Sequence, residues 1–587
     1  MTWGIAEKYG GMTSAMLYRC KQFCDFDFGA SLTILTLDPS IEVSKAEKHI
    51  QSRWDIPDSI KIRNIWNDLR FMSDQELQKL SGDIGSEYLP AVLYENYTFK
   101  KRFQHEFRDA NNRVFRQEYF RLNGSLLVLD DRSLDSKKTV LYDSNGLPLK
   151  TWESIDGLYL AWLKYVMVNR FSILINEDAA LGRILYRLNV HNIKTVQVVH
   201  GSHLREPEQA PYGEFTVNRA NTLYNIESFD LVSILTAWHM QDLLSLGIDA
   251  SNLCVMPNAT KPVKLNQLHT RDIKAGAIIS QLEPRKQISH SLKAISKINN
   301  SITLTVYGEG VEYDKLNTIS NELGINAQVD FKGYVPHAST ELTDYSFLLL
   351  TSKSEGQPLV LLEAMARGCI PISYDMRYGP RDTIRHGVDG FLVPPDDIDA
   401  LTETIKSFLK LPEQKIAAMR LAAIKRAEDF YPKNNIKRWD EVLTNVVNTP
   451  ARTEVKYTKG CKVIAEDVKI DNGQCCIVGR LVGEEVDLKL DHSFIVTTRG
   501  RSSFLKLMPD FKFISKKEGK FEAVFSLTSI PLADIAFLDF FMQPVGAAWV
   551  EKVRVSYALL EDKIIVPEGK VYKTIYGNLS FDFRLSN

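Results

Sequence analysis

Phe347-Leu348-Leu349-Leu350 runs into Ser354-Glu355-Gly356-Gln357-Pro358-Leu359-Val360-Leu361-Leu362-Glu363, and then Ala364-Met365-Ala366-Arg367-Gly368-Cys369-Ile370-Pro371-Ile372. The first run is short and wholly apolar, which reads as a strand buried on both faces. Gly356 lets the backbone come close to a ligand. Pro358 suits the first turn of a helix, where its missing N–H goes unnoticed. Ile370-Pro371-Ile372-Ser373 reads as the next strand. Strand, loop, helix, strand is the unit of a parallel sheet, and ligands of such sheets sit at the carboxyl ends of the strands. Free N–H groups over Gln357–Val360 and the helix dipole predict an anion site there. Glu355 lies in the loop and Glu363 on the helix, both able to face one cleft.

The same grammar extends outward. Ala277–Ser280, Thr303–Val306 and Val329–Phe331 read as further strands of a unit spanning 266–450, with the helix near Asn434–Val446 as its last element. A first α/β unit is expected over 1–52 and 156–265. It opens with the tight turn Tyr9-Gly10-Gly11-Met12-Thr13 and a helical run Ala15–Phe23. Its strands are Ala30–Leu37, Ser172–Ile175, Thr195–Val199, Leu231–Leu235 and Asn252–Met256. Between them, 53–155 alternates and carries the turns Asn123-Gly124 and Ser144-Asn145-Gly146, an antiparallel β insertion. Beyond Pro450 the alternation returns at Phe521–Leu527 and Glu551–Tyr557, so 451–587 reads as a separate β domain.

The composition sets outer limits. The chain has 587 residues, enough for roughly 3–4 domains. At 44% hydrophobic and 25% charged it is an ordinary globular chain, which excludes a mostly disordered one. Lys+Arg 72 against Asp+Glu 73 gives a net charge of −1, and so argues against a nucleic-acid binder. Seven scattered cysteines suit thiols in a reducing cytosol. No leader or spanning apolar run is visible, so a cytoplasmic protein with at most peripheral membrane contact is expected. Asp130-Asp131 and Asp396-Asp397 read as solvated turns rather than metal ligands.

Glu355 to Glu363 resembles the E-x7-E motif of retaining glycosyltransferases of the GT-B fold, which use nucleotide-sugar donors, and the likeness continues through Ile372. Tyr374-Asp375-Met376-Arg377-Tyr378-Gly379-Pro380-Arg381-Asp382 and Gly10-Gly11-Met12-Thr13-Ser14-Ala15-Met16 resemble loops of the wall teichoic acid α-glycosyltransferases. These are the poly(ribitol-phosphate) α-N-acetylglucosaminyltransferases and poly(glycerol-phosphate) α-glucosyltransferases. The resemblance implies two Rossmann-like domains facing a cleft, with a β-rich insertion in the first. The extra C-terminal all-β domain lies outside it.

The resemblance also implies roles. Glu363 matches the Glu that binds ribose hydroxyls, and Glu355 the one near hydroxyls of the donor sugar. Lys286, in Leu282-Glu283-Pro284-Arg285-Lys286, matches the diphosphate lysine. At the Arg position of that element stands Gln281, which donates an amide N–H without charge, with Arg285 near it. Gly10 and Gly11 offer close approach to the diphosphate, as do Gly356, Gln357, Pro358 and Leu359 on the other side. Tyr334, in Gly333-Tyr334-Val335, is expected beside the base. His200 of Val198-Val199-His200-Gly201-Ser202-His203 matches the histidine beside the reacting sugar, and His203 reads as a cap of the following turn. Met256-Pro257-Asn258 reads as structural.

The implied reaction is retaining transfer of glucose or N-acetylglucosamine from a UDP-sugar to a poly(polyol phosphate), without a cofactor or metal. A homo-oligomer, a trimer in the enzymes it resembles, is expected through the insertion. Two other readings stay open. One is a non-catalytic acceptor-binding partner of a glycosyltransferase, favoured by Gln281; the other is transfer to protein Ser/Thr or another surface glycan.

Overall fold

A computed structural model describes residues 1–6, 9–26, 29–82, 103–133, 137–188, 190–211, 213–246, 248, 251–263, 271–298 and 302–450. Beyond these it describes 453–454, 462–483, 492–498, 506–507, 510–527, 537–544, 547–548, 553–557, 563–566, 569–574 and 578–582. The expected boundaries at 265/266 and 450/451, Cys461, and the start of the strand expected at Glu551 involve residues outside the described ones. Two compact units are present. The first is Met1–Val198 with Asn221–Leu231 and Val446–Arg452; the second is Val199–Ala220, Val232–Asn445 and Thr453–Asn587.

The first unit opens with the helix Gly11–Asp25, capped by Gly10. Met16 and Leu17 of this helix pack on Ile34, Ile50 and Ile62. The strand Thr33–Thr36 pairs in parallel with Lys61–Asn64, Ile34 opposite Ile62. The α/β pattern therefore continues past residue 53, where an antiparallel texture was expected. Ile65, Trp66 and Leu69 lie buried on the helix Ile65–Phe71, and Ser73 and Glu76 form a capping box for Asp74–Ser81. Lys61-Ile62-Arg63-Asn64 alternates for too few residues to separate a strand of either kind.

The antiparallel sheet has five strands in sequential order, from Gln104–Arg108 to Pro148–Trp152. Gly124 and Gly146 take positive φ at two of its turns, as Asn-Gly sequences predict. Asp130 is no solvated turn. It lies buried inside the strand Leu126–Asp131 and accepts from Arg132 Nε at 2.7 Å and Thr139 Oγ1 at 2.7 Å. Ser172–Asn176 then pairs in parallel with Ile193–Val199.

The second unit contains a six-stranded parallel sheet. Its order is Val329–Gly333, Thr303–Tyr307, Ala275–Ile279, Phe347–Leu350, Ile370–Tyr374, Phe391–Val393. In sequence terms that is 3-2-1-4-5-6, the doubly wound order of a Rossmann-like domain. Phe347, Leu348, Leu349 and Leu350 are 0–5% exposed, each burial contributing about 1.5–3 kcal/mol. The order reverses between Ala275–Ile279 and Phe347–Leu350. Their following loops, 280–287 and 351–358, therefore flank the switch point, where the fold places ligands.

Beyond Pro450 the elements among the described residues are strands. Lys462–Asp471 and Gln474–Val482 form an antiparallel hairpin, and Phe494, Phe521 and Phe540 share one core. Among the described residues no helix is long and apolar enough to cross a membrane.

Candidate functional site

Loops at the switch point of the second unit converge on Glu355. Lys286 Nζ donates to Glu355 Oε1 at 2.6 Å, and Arg285 Nη1 lies 3.5 Å from Oε2. Arg285 also donates to the Ser354 carbonyl at 2.5 Å. Both residues come from the short turn Pro284–Lys286 after the strand Ala275–Ile279. Burial raises the Glu355 carboxyl, but the Lys286 and Arg285 charges outweigh it and hold the group below the usual carboxylate range. Glu355 is thus a fixed anion facing two cations.

His200 meets the same loop from the other side. A Cβ built on Gly356 would lie 1.9 Å from the His200 carbonyl oxygen, so the two backbones touch and only glycine fits. Beside it, Lys353 Nζ holds Glu206 Oε2 at 2.6 Å, tying the segment after His200 to the loop before Glu355.

The helix after the loop spans Leu359–Met365. Pro358, expected in its first turn, is its cap, with an extended ψ of 113. Gln357 is buried, and its Oε1 accepts from the Asn258 N–H at 2.6 Å. Its side-chain oxygen therefore braces Met256-Pro257-Asn258. Glu363 stands on this helix. Burial pushes its carboxyl up, opposed by Arg367, Lys261 and the Ser339 hydroxyl.

The remaining expected residues fall into three places. Gln281 is exposed in the loop after Ala275–Ile279, one turn before Arg285. Tyr334 follows the strand Val329–Gly333, where the Gly333 carbonyl accepts from Gly308 N–H at 2.8 Å and Leu282 N–H donates to the Glu309 carbonyl at 3.0 Å. Loops 280–282, 308–310 and 333–334 thus line up at the ends of three neighbouring strands. Gly10 and Gly11 open the exposed N-terminus of the first helix, in the first unit. Among the described residues no group of three His, Cys, Asp or Glu is placed to hold a metal ion.

His203 does not cap the turn after it; Ser202 Oγ does, accepting from the Leu204 N–H at 3.1 Å. His203 is fully buried, its Nδ1 3.0 Å from His239 Nε2, and both rings stack with Tyr378. Burial pushes the His203 imidazole down to about 3 and lowers His239 well below its ordinary value. The folded chain then binds fewer protons here than the unfolded chain. Stability from this pair is complete above about pH 6.5 and declines as pH falls below it, by up to about 1.4 kcal/mol per pH unit for each ring. Calorimetry is expected to show Tm falling from pH 6.5 to 5, and an unchanged Tm would contradict neutral burial of the pair.

The sequence reading left several contributors unassigned. Asp242 accepts from Arg377 Nε at 2.8 Å and from Tyr378 Oη at 2.7 Å. Arg377 lies over the Trp238 ring at 4.5 Å. No local pattern marks Asp242, because its partners stand more than 130 residues further along the chain.

Residues 274–428 match the family model Glycosyl transferases group 1. More particularly, the chain is similar to the poly(ribitol-phosphate) alpha-N-acetylglucosaminyltransferase of Staphylococcus aureus. The two are 23% identical over 483 residues, 73% of this chain and 96% of that protein. It is similar also to the poly(glycerol-phosphate) alpha-glucosyltransferase of Bacillus subtilis, 22% identical over 539 residues, 80% of this chain and 77% of that one. An exopolysaccharide phosphotransferase of Streptomyces coelicolor is 30% identical over 282 residues, 47% of this chain, and the match spans only 29% of that protein. The crystal structure of TarM shares the fold, with a TM-score of 0.58 at 20% identity over 76% of this chain and 98% of that one.

Proposed function

We propose that this chain is a retaining glycosyltransferase that moves glucose or N-acetylglucosamine from a UDP-sugar onto a poly(polyol phosphate) of the wall teichoic acid class, forming an α-glycosidic bond. The observation that carries the reading is the Glu355–Lys286–Arg285 cluster at the switch point, with His200 against Gly356. Wall-polymer glycosyltransferases among the relatives support the acceptor class.

In this reading Glu363 accepts hydrogen bonds from the ribose hydroxyls and Glu355 from the sugar hydroxyls, a task a carboxylate suits because it accepts several at once. Lys286 and Arg285 face the diphosphate with the Gly356–Leu359 backbone. Charge building on the departing UDP is stabilised by these fixed donors, without a metal. Arg285 supplies the cation that Gln281 lacks. Tyr334 lies by the base. His200 hydrogen-bonds the donor as the glycosidic bond breaks, and the leaving phosphate oxygen takes the proton of the attacking acceptor hydroxyl on the same face. The enzyme works as a homo-oligomer in the cytoplasm, at the inner face of the membrane.

The test is a donor screen. The purified chain is given UDP-glucose or UDP-N-acetylglucosamine with poly(glycerol phosphate), poly(ribitol phosphate) or a serine-rich protein. Mass spectrometry reads the product, NMR the anomeric configuration, and light scattering of the same sample the assembly. Hexose added to a polyol phosphate with α configuration is expected. UDP released with neither polymer modified would remove the acceptor assignment. No UDP released from either donor would favour the second reading, an acceptor-binding partner lacking the diphosphate Arg at Gln281.

A further inference from the structure

We propose that Asp242 is a positioning residue for Glu355, acting through the Arg377-Tyr378 peptide; for its catalytic consequence this rests on the function proposed above. Asp242 lies on the helix Ala237–Ser245 and is 7% exposed. Its Oδ2 accepts from both Arg377 Nε at 2.8 Å and Tyr378 Oη at 2.7 Å. One carboxylate oxygen therefore fixes two consecutive side chains.

Those two residues grip Glu355 by its backbone. The Glu355 N–H donates to the Arg377 carbonyl at 3.1 Å, and the Tyr378 N–H donates to the Glu355 carbonyl at 2.9 Å. The next residue closes the grip. Gly379, at φ +110, lies so near the loop that a Cβ there would stand 2.6 Å from Pro358 and 2.9 Å from Gln357.

The side-chain end of this arrangement has little freedom. Tyr378 is fully buried and stacks on His239 at 4.2 Å, with Trp238 edge-on at 5.9 Å. Burial, and the Asp242 charge beside it, push the Tyr378 phenol up, so it stays a donor. Two hydrogen bonds made to a charged, buried acceptor are the strong kind, and the members of such a network strengthen one another. Glu355 itself is held at its carboxylate by Lys286 and Arg285, with the Ser352 hydroxyl beside them. Its backbone depends on residues 377–378, which in turn depend on Asp242.

The variant Asp242→Asn keeps the shape and removes the charge. Hydrogen exchange is read at single amides, alongside transfer kinetics and UDP titration calorimetry. Expected is exchange about tenfold faster at the Glu355 and Tyr378 amides, with Leu348–Leu350 unchanged. Transfer kcat is expected to fall at least about tenfold, since small misplacements of a sugar-contacting group are costly, with UDP affinity within about twofold. In a Glu355→Gln background Asp242→Asn is expected to add nothing to the loss of kcat. Tyr378→Phe, which removes one hydroxyl, is the gentler second variant and should move the same two amides.

Unchanged exchange at these amides, or faster exchange throughout the sheet as well, overturns the positioning role whatever the enzyme does. Faster local exchange with kcat unaltered overturns its catalytic part. If the unmodified chain transfers no hexose from either donor, the proposed function fails, while the exchange result still decides whether Asp242 positions Glu355.

Discussion

Lys286→Met is expected to lower hexose transfer at least about a hundredfold, the scale on which a fixed donor to developing charge acts. Lys286 and Glu355 are 14% and 12% exposed at their side chains, so their 2.6 Å contact is largely shielded from water. With the ammonium gone, the nearest cation left to Glu355 is Arg285 at 3.5 Å, beside the Ser352 hydroxyl. Its burial is then less opposed, and its carboxyl moves up from its depressed position.

A buried charge stripped of its partner typically costs 3–5 kcal/mol, and the surviving Arg285 brings the expectation to about 3 kcal/mol. The double variant Lys286→Met with Glu355→Gln removes both charges and should recover most of that stability. It should not recover transfer, because both the diphosphate and the sugar contacts are lost. Calorimetric Tm and the mass-spectrometric transfer assay read the two effects separately. A single variant with full transfer would remove Lys286 from the diphosphate. A double variant more stable than the wild type but inactive would show that the pair is kept for the reaction at a cost to the fold.

What the sequence displayed followed chain proximity. The strand Phe347–Leu350, the loop to Pro358 and the helix carrying Glu363 lie within seventeen residues, each with its own periodicity or backbone signal. The 3-2-1-4-5-6 order then follows from strands alternating with helices. Hidden from view was whatever required distant residues to meet. Lys286 reaches Glu355 across 69 positions, Asp242 reaches Tyr378 across 136, and no local pattern encodes either contact. His203 looked like a turn cap because its neighbours are turn-forming; burial beside His239 overrode that. The stretch 61–81 looked like part of the insertion because a four-residue strand is too short to declare its partner, and Ile34 opposite Ile62 supplied it. Asp130 looked solvated until Arg132 and Thr139 were seen to enclose it.

Gly356→Ala is expected to abolish detectable transfer, a loss of more than about a hundredfold. Ordinary glycine substitutions fail on φ, but this one fails on space. The new methyl would lie 1.9 Å from the His200 carbonyl oxygen, 2.6 Å from its carbon and 3.1 Å from Gly201 Cα. All three are backbone atoms, so no side-chain rotation relieves the clash. The loop is also tied on its far side, where the Glu355 N–H donates to the Arg377 carbonyl at 3.1 Å and the Tyr378 N–H to the Glu355 carbonyl at 2.9 Å. Either the His200 segment or the Glu355–Pro358 loop must shift by roughly 1 Å, and each carries a proposed donor contact. Overpacking of this size costs about 1–3 kcal/mol, which leaves the chain folded at temperatures well below its Tm. Circular dichroism should therefore show native structure while transfer is absent. Wild-type transfer by a folded Gly356→Ala enzyme would mean that His200 and the Glu355 loop can separate during turnover. The close approach of the two backbones would then be a packing feature, and His200 would have to be removed from the donor site.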